Sequence, residues 1–200
     1  MGSEMCIRDR SCIELEKTTS KRKSCVVSRS FGKRVENFQE LKEAVASYCL
    51  NASEKLRSEN LVAKALTVFV RTSPFQRNFG YYSNSKTIDF PIATNNSIET
   101  VKTAITILES IYKNGYRYQK AGVMFSGLSD ENSKENLFAS EKDEKINKLM
   151  RSIDKTNFRF GRRTLSIASA GIRKKWFMKR EHSSKIDTAD FYCIPTIKAI

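Results

Sequence analysis

The stretch Ser24-Cys25-Val26-Val27-Ser28-Arg29-Ser30-Phe31-Gly32-Lys33-Arg34 decides how the rest of the chain is read. It starts apolar, becomes polar and basic, and reaches a glycine able to make a tight corner, so it predicts a strand over 24–31 carrying an arginine at its centre. The residues after it give the strand its context. Leu41, Ala44, Val45, Tyr48, Ala52 and Leu56 recur at helical spacing, which predicts a helix over 38–60. Residues 61–71 (LVAKALTVFVR) are β-branched and aromatic, with Leu66, Val68 and Val70 on one face and Thr67, Phe69 and Arg71 on the other. Pro74 ends that strand, and a shorter one over 86–90 is closed by Pro91.

Asn96 followed by Glu99 resembles a capping box and opens a second helix, with Ile98, Val101, Ile105, Leu108 and Ile111 on one stripe and Gly115 as its stop. Residues 116–125 (YRYQKAGVMF) make the last strand. The order β-α-β-β-α-β defines an α+β fold: one sheet in the split βαβ arrangement, both helices on one face and the other face free for a partner.

Around this unit, over 24–127, the chain divides further. Residues 1–10 (MGSEMCIRDR) have no periodicity and read as a non-native or disordered leader, and 11–23 as a polar linker. Residues 128–143 turn polar and read as a flexible linker, and 144–200 as a basic C-terminal domain. Within the latter, a short helix is expected over 144–154 and a strand over 164–170.

The chain carries 36 Lys and Arg against 22 Asp and Glu, a net charge of +14 with a pI near 9.7. Such an excess points to a polyanionic partner, with nucleic acid favoured over membrane. It is uneven: 14 basic and 4 acidic residues fall between Lys142 and Lys185, the pattern of a local footprint. The basic cluster Arg173, Lys174, Lys175, Lys179 and Arg180 surrounds Trp176, whose ring either stacks on a base or pins the tail to the core. Five scattered cysteines without a C-x-x-C pair argue against a disulfide framework or a zinc site, and suit a reduced cytoplasmic setting. No apolar run approaches the ~18 residues of a membrane helix, so no membrane partner is expected.

Catalytic chemistry is hard to place. Asp187 and Asp190 are the nearest thing to a carboxylate pair, and His182 is a lone histidine in a basic tail. No phosphate-binding glycine loop occurs. No metal site or cofactor is therefore expected in this chain. Cations mixed with hydroxyls on an open sheet suit phosphate binding, although an ordinary wet sheet face has the same composition. The candidates are Arg29, Ser30, Lys33, Arg71, Thr72, Ser73, Arg117, Gln119 and Lys120.

With these residues in hand, the chain resembles the C-terminal part of the Y-family translesion DNA polymerases, of the UmuC-like subunit type of DNA polymerase V. The matching stretches are 28–32 (SRSFG), 52–58 (ASEKLRS), 71–75 (RTSPF), Tyr81-Tyr82, 117–124 (RYQKAGVM), 136–138 (NLF), 161–165 and 176–180. The resemblance implies that residues 24–127 are a little finger domain, whose open sheet lies along the major groove and holds the DNA backbone. It further implies SOS mutagenesis, DNA repair and damaged-DNA binding as the setting, and primer–template DNA, a UmuD-type subunit and the sliding clamp as partners. The catalytic palm, with its magnesium, would lie in a part of the family's chain absent here, so this chain alone is expected to be non-catalytic. The family's clamp peptide, Gln-Leu-x-Leu-Phe, aligns with Lys134–Phe138, where only the Leu137-Phe138 anchor survives for weak docking. Two alternatives share the topology: an RNA-binding module of RRM type, whose aromatic motif is missing here, and a non-catalytic ferredoxin-like interaction domain.

Overall fold

The computed structural model describes residues 22–75, 80–131, 141–172 and 176–178. Its elements are β1 (Ser24–Val35), α1 (Phe38–Ser58), β2 (Leu61–Thr72), β3 (Ser83–Thr94), α2 (Ser97–Ile111), β4 (Tyr118–Asp130) and α3 (Glu141–Phe160), followed by a 3-10 turn at Ala168–Ala170. The four strands form one antiparallel sheet in the order β1-β4-β2-β3. Both crossovers, β1-α1-β2 and β3-α2-β4, step over a strand belonging to the other, so two split βαβ units interlock. The βαββαβ α+β fold expected from the sequence is the one observed.

The apolar stripes explain the packing. Leu41, Val45, Cys49, Ala52 and Leu56 of α1, and Val101, Ala104, Ile107, Leu108 and Ile111 of α2, are buried against Leu66, Val68, Val70, Ala121, Val123 and Phe125 of the sheet. Each fully buried Leu, Ile, Val or Phe contributes about 1.5–3 kcal/mol, so this single interface supplies most of the stabilisation. Between the helices the buried hydroxyls of Ser53 and Thr100 satisfy each other at 3.0 Å. Asn37 caps α1 by accepting from the Gln39 amide at 2.8 Å, and Asn96 caps α2 by accepting from the Ile98 amide at 2.9 Å. The reciprocal half of the expected box is relayed. Thr94 Oγ1 accepts from the Asn96 amide and donates to Glu99 Oε2.

Several boundaries differ from expectation: β4 runs to Asp130 rather than to 125, α3 spans Glu141–Phe160 rather than 144–154, and three further differences have a visible cause. β1 does not stop at Gly32 but continues to Val35 through an irregularity between Ser30 and Val35, and the Gly32 amide donates to the Trp176 carbonyl at 3.2 Å. β3 runs through Pro91 to Thr94, which an edge strand allows because one side of it has no ladder to feed. The segment 164–170 is not a strand. The Thr164 amide donates to the Gly161 carbonyl and the Leu165 amide to Asn157 Oδ1 at 2.8 Å, so the end of α3 satisfies the backbone a ladder would have used.

α3 is held to the domain by Arg57. Its guanidinium meets both carboxylate oxygens of Asp154, at 2.6 and 2.9 Å, and also donates to the Asn95 carbonyl and Ser97 Oγ, both at 2.8 Å. One α1 side chain thereby ties together the start of α2 and the middle of α3.

Candidate nucleic-acid interface

Strand pairing places the residues of the helix-free face in cross-strand rungs, running from β1 to β3. They are Ser24, Ser126, Ala65 and Asp89; Val26, Met124, Thr67 and Thr87; Ser28, Gly122, Phe69 and Ser85; and Ser30, Lys120, Arg71 and Ser83. Serines and threonines make up half of these positions, so hydroxyls alternate with apolar and charged side chains over the face. Thr67 and Thr87 pair across their strands at 2.8 Å.

The last rung carries the charge. Arg71 and Lys120 sit directly opposite each other with Ser30 and Ser83 outside them. Among the described residues neither cation has an acidic partner. Like charges directly opposite destabilise an antiparallel pair, and an anion between them would turn repulsion into attraction. The only acid on these rungs, Asp89, lies at the far end, so the face is polarised along its strands.

That end of the sheet is stiffened from behind. Tyr82, Tyr116, Tyr118, Tyr112 and Phe38 form a chain of ring contacts, with centroids 4.8–6.2 Å apart. Tyr118 Oη accepts from the Lys113 amide at 2.8 Å and donates to its carbonyl at 3.0 Å. Burial pushes the Tyr118 hydroxyl up to about 12, which keeps it a donor at any physiological pH. Lys113 caps the stack, its Nζ lying 5.0 Å from the centre of the Tyr82 ring.

The nine candidates separate into groups. Ser30, Arg71 and Lys120 converge on the cationic rung. Lys33 is exposed on the irregular end of β1, and Gln119 is the extra residue where β4 bulges against β2. Arg117, beside that bulge, pairs with Glu36 at 2.6 Å, clamping the β1–α1 corner to the entry of β4.

Arg29, Thr72 and Ser73 are not on the open face. Arg29 shares the parity of Cys25 and Phe31, which face the core, and lies beside Asn51 and Lys55 of α1. Thr72 and Ser73 are buried: Thr72 Oγ1 accepts from the Tyr82 amide at 2.8 Å, and Ser73 Oγ accepts from the Phe75 amide at 3.4 Å. Their hydroxyls shape the turn after β2.

Trp176 takes the pinning role. It is buried against Phe31 and Tyr48 with ring planes 78° and 80° apart. Leu137, Phe138, Arg173, Lys174, Lys175, Lys179, Arg180, His182, Asp187 and Asp190 lie outside the described residues. Sequence reasoning missed Ser28, Thr67, Ser83, Ser85 and Thr87. The alternation Ser83-x-Ser85-x-Thr87 was the signal that could have shown the last three. Among the described residues no cluster of His, Cys, Asp or Glu is arranged to hold a metal, and no helix is long and apolar enough to cross a membrane.

Against this geometry stand the relatives. The model of the impB/mucB/samB family C-terminal domain matches residues 22–137, more than half of the chain, and a domain of unknown function, DUF4113, matches residues 147–197. The chain belongs to the impB/mucB/samB family, whose C-terminal domain it carries. It is 38% identical over 177 residues to Protein UmuC of Salmonella typhimurium, covering 88% of this chain and 42% of that protein. Protein ImpB of Salmonella typhimurium is 35% identical over 187 residues, with 92% and 44% covered. Protein MucB of Escherichia coli is 35% identical over 195 residues, with 96% and 46% covered. The chain thus spans less than half the length of these curated relatives. Among solved structures, a chain of the insertion ternary complex of Dbh DNA polymerase is similar at a TM-score of 0.42 and 12% identity, over 54% of this chain and 29% of that one. A chain from the complex of the beta-clamp processivity factor and little finger domain of PolIV is similar at 0.37 and 12%, over 52% and 86%.

Proposed function

We propose that this chain is the DNA-holding C-terminal region of a UmuC-like, error-prone translesion polymerase, and that its open sheet face grips the backbone of primer–template DNA. One observation carries the reading: Arg71 and Lys120 stand opposite each other, without acidic partners among the described residues, among serine and threonine hydroxyls. Phosphate oxygens accept from both kinds of group, and such contacts position a duplex without reading its sequence. A domain that must follow any template, including a damaged one, needs that indifference. The kinship with UmuC, ImpB and MucB supports the same reading.

On this reading the chain contributes binding, and the magnesium-dependent nucleotide transfer belongs to the catalytic part of the longer family members. Its setting is the SOS response in the cytoplasm, with a UmuD-type subunit as partner. The sliding clamp is contacted weakly through Leu137 and Phe138. The RRM alternative requires aromatic rings for stacking. The four rungs offer only Phe69, whose ring lies over Gly122.

Fluorescence anisotropy of the 200-residue chain with a primer–template duplex tests the reading. Arg71→Ala and Lys120→Ala should each weaken binding by about fivefold to tenfold, the effect expected of removing one charge-assisted hydrogen bond to phosphate. Unchanged affinity in both would reject the sheet face as the grip.

A further inference from the structure

The parity that takes Arg29 off the open face brings it into a second basic surface. On the helix side of β1 lies a groove of about 620 Å³ between that edge strand, α1 and the turn after α3. Arg29 comes from β1, Lys55 from α1, and Arg162 and Arg163 from the turn, with Glu54 the single acid among the lining residues. Among the described residues, Arg29, Lys55 and Arg162 have no ion-pair partner. Arg163 donates to Asn51 Oδ1 at 3.4 Å, the one hydrogen bond of its guanidinium among those residues.

Two further features shape the groove. Arg163 holds a left-handed backbone at φ 71° inside the turn that the Thr164 amide closes on the Gly161 carbonyl. A residue at the third position of such a turn takes positive φ, so the turn fixes where the Arg163 side chain leaves the backbone. Phe177 also lines the groove with its ring half exposed, beside arginines whose planar guanidinium groups suit stacking as well as phosphate binding.

We propose that this groove binds single-stranded nucleic acid, with phosphates on Arg29, Arg162 and Arg163 and a base stacked on Phe177. Cations tracking a backbone beside an exposed ring are what an unpaired strand needs, since its bases are free to stack. A duplex hides its bases and needs only the cations and hydroxyls that the open sheet face already offers. Arg29 and Ser30 are consecutive and project to opposite sides of β1. The two surfaces therefore stand back to back across one edge strand, so paired and unpaired DNA can be held at once.

The test uses the full 200-residue chain with a fluorescein-labelled oligo-dT and, separately, a labelled duplex of equal length at the same salt. Arg162→Ala with Arg163→Ala, and Phe177→Leu, should each weaken oligo-dT binding by at least about fivefold, as expected when phosphate ligands or a stacking ring are removed. Duplex affinity should stay within about twofold, because the variants leave the sheet face intact. Arg71→Ala with Lys120→Ala should show the reverse pattern. Far-UV circular dichroism and the thermal midpoint establish that each variant is folded. Arg162→Gln, which alters one exposed side chain, gives the same readout should the double variant fail to fold. Unchanged oligo-dT affinity in the folded variants overturns the proposal. So does displacement of oligo-dT by polyglutamate at matched charge together with no effect of Phe177→Leu, which would make the groove an acidic-peptide site. Equal losses for oligo-dT and duplex in the groove variants would merge the two surfaces and also overturn it.

Discussion

Gly122 shows how much of the site rests on single side chains. A Cβ built at this position would run into the Phe69 ring on one side and Ser28 Cβ on the other. The ring could swing away, but Ser28 Cβ is fixed to the backbone of β1 directly opposite. Gly122→Ala should therefore lower stability by about 1–3 kcal/mol, as overpacking does elsewhere. It should also lift Phe69 out of the face and weaken duplex binding. Chemical denaturation measures the first effect, and an unchanged midpoint would mean that the sheet relaxes around the methyl group. Parity decided which residues the sequence placed correctly. Arg29 sits in a polar run whose faces look alike. Only its spacing from Cys25 and Phe31, both core-facing, fixes its side. Thr72 and Ser73 read as surface hydroxyls because nothing local reveals that Tyr82 will return after the turn to pair with Thr72.

Among the elements, the amphipathic helices were the most legible, since a 3.6-residue stripe survives whatever it packs on. Ends were less so. Gly32 looked like a corner, yet β1 continues because the tail at Trp176 returns to accept its amide. Residues 164–170 have a strand's composition, but Asn157 of α3 has already taken the Leu165 backbone in two hydrogen bonds, at 2.8 and 3.0 Å. Such long-range satisfaction leaves no local signature. The docking of α3 depends in the same way on Arg57, whose side chain is only 11% exposed and makes four hydrogen bonds of 2.6–2.9 Å. Arg57→Ala leaves the Asp154 carboxylate without its partner and should cost about 3 kcal/mol. Hydrogen exchange should then rise in α3 more than in the central strands β2 and β4. Uniform acceleration would show that Arg57 supports the whole domain rather than the α3 junction.

Across the whole molecule, two groups of cations stand out among the described residues. One cationic rung closes the open sheet face, a second cluster fills the groove behind β1, and Asp89 marks the far end of the sheet. Net charge pointed to a polyanion from the sequence alone, and the topology supplied a free face. The rung itself was not legible, because the pairing of Arg71 with Lys120 depends on the register between two strands far apart in the chain. The salt dependence of duplex binding, for the unaltered chain and for Arg71→Ala with Lys120→Ala, tests the central claim most directly. If those two cations each hold a phosphate, the slope of log affinity against log salt should be steep in the unaltered chain. It should become shallower by about 1.8 in the double variant, close to 0.9 for each phosphate no longer neutralised. A slope that does not change would mean that the duplex is held elsewhere, and the sheet face would lose its role.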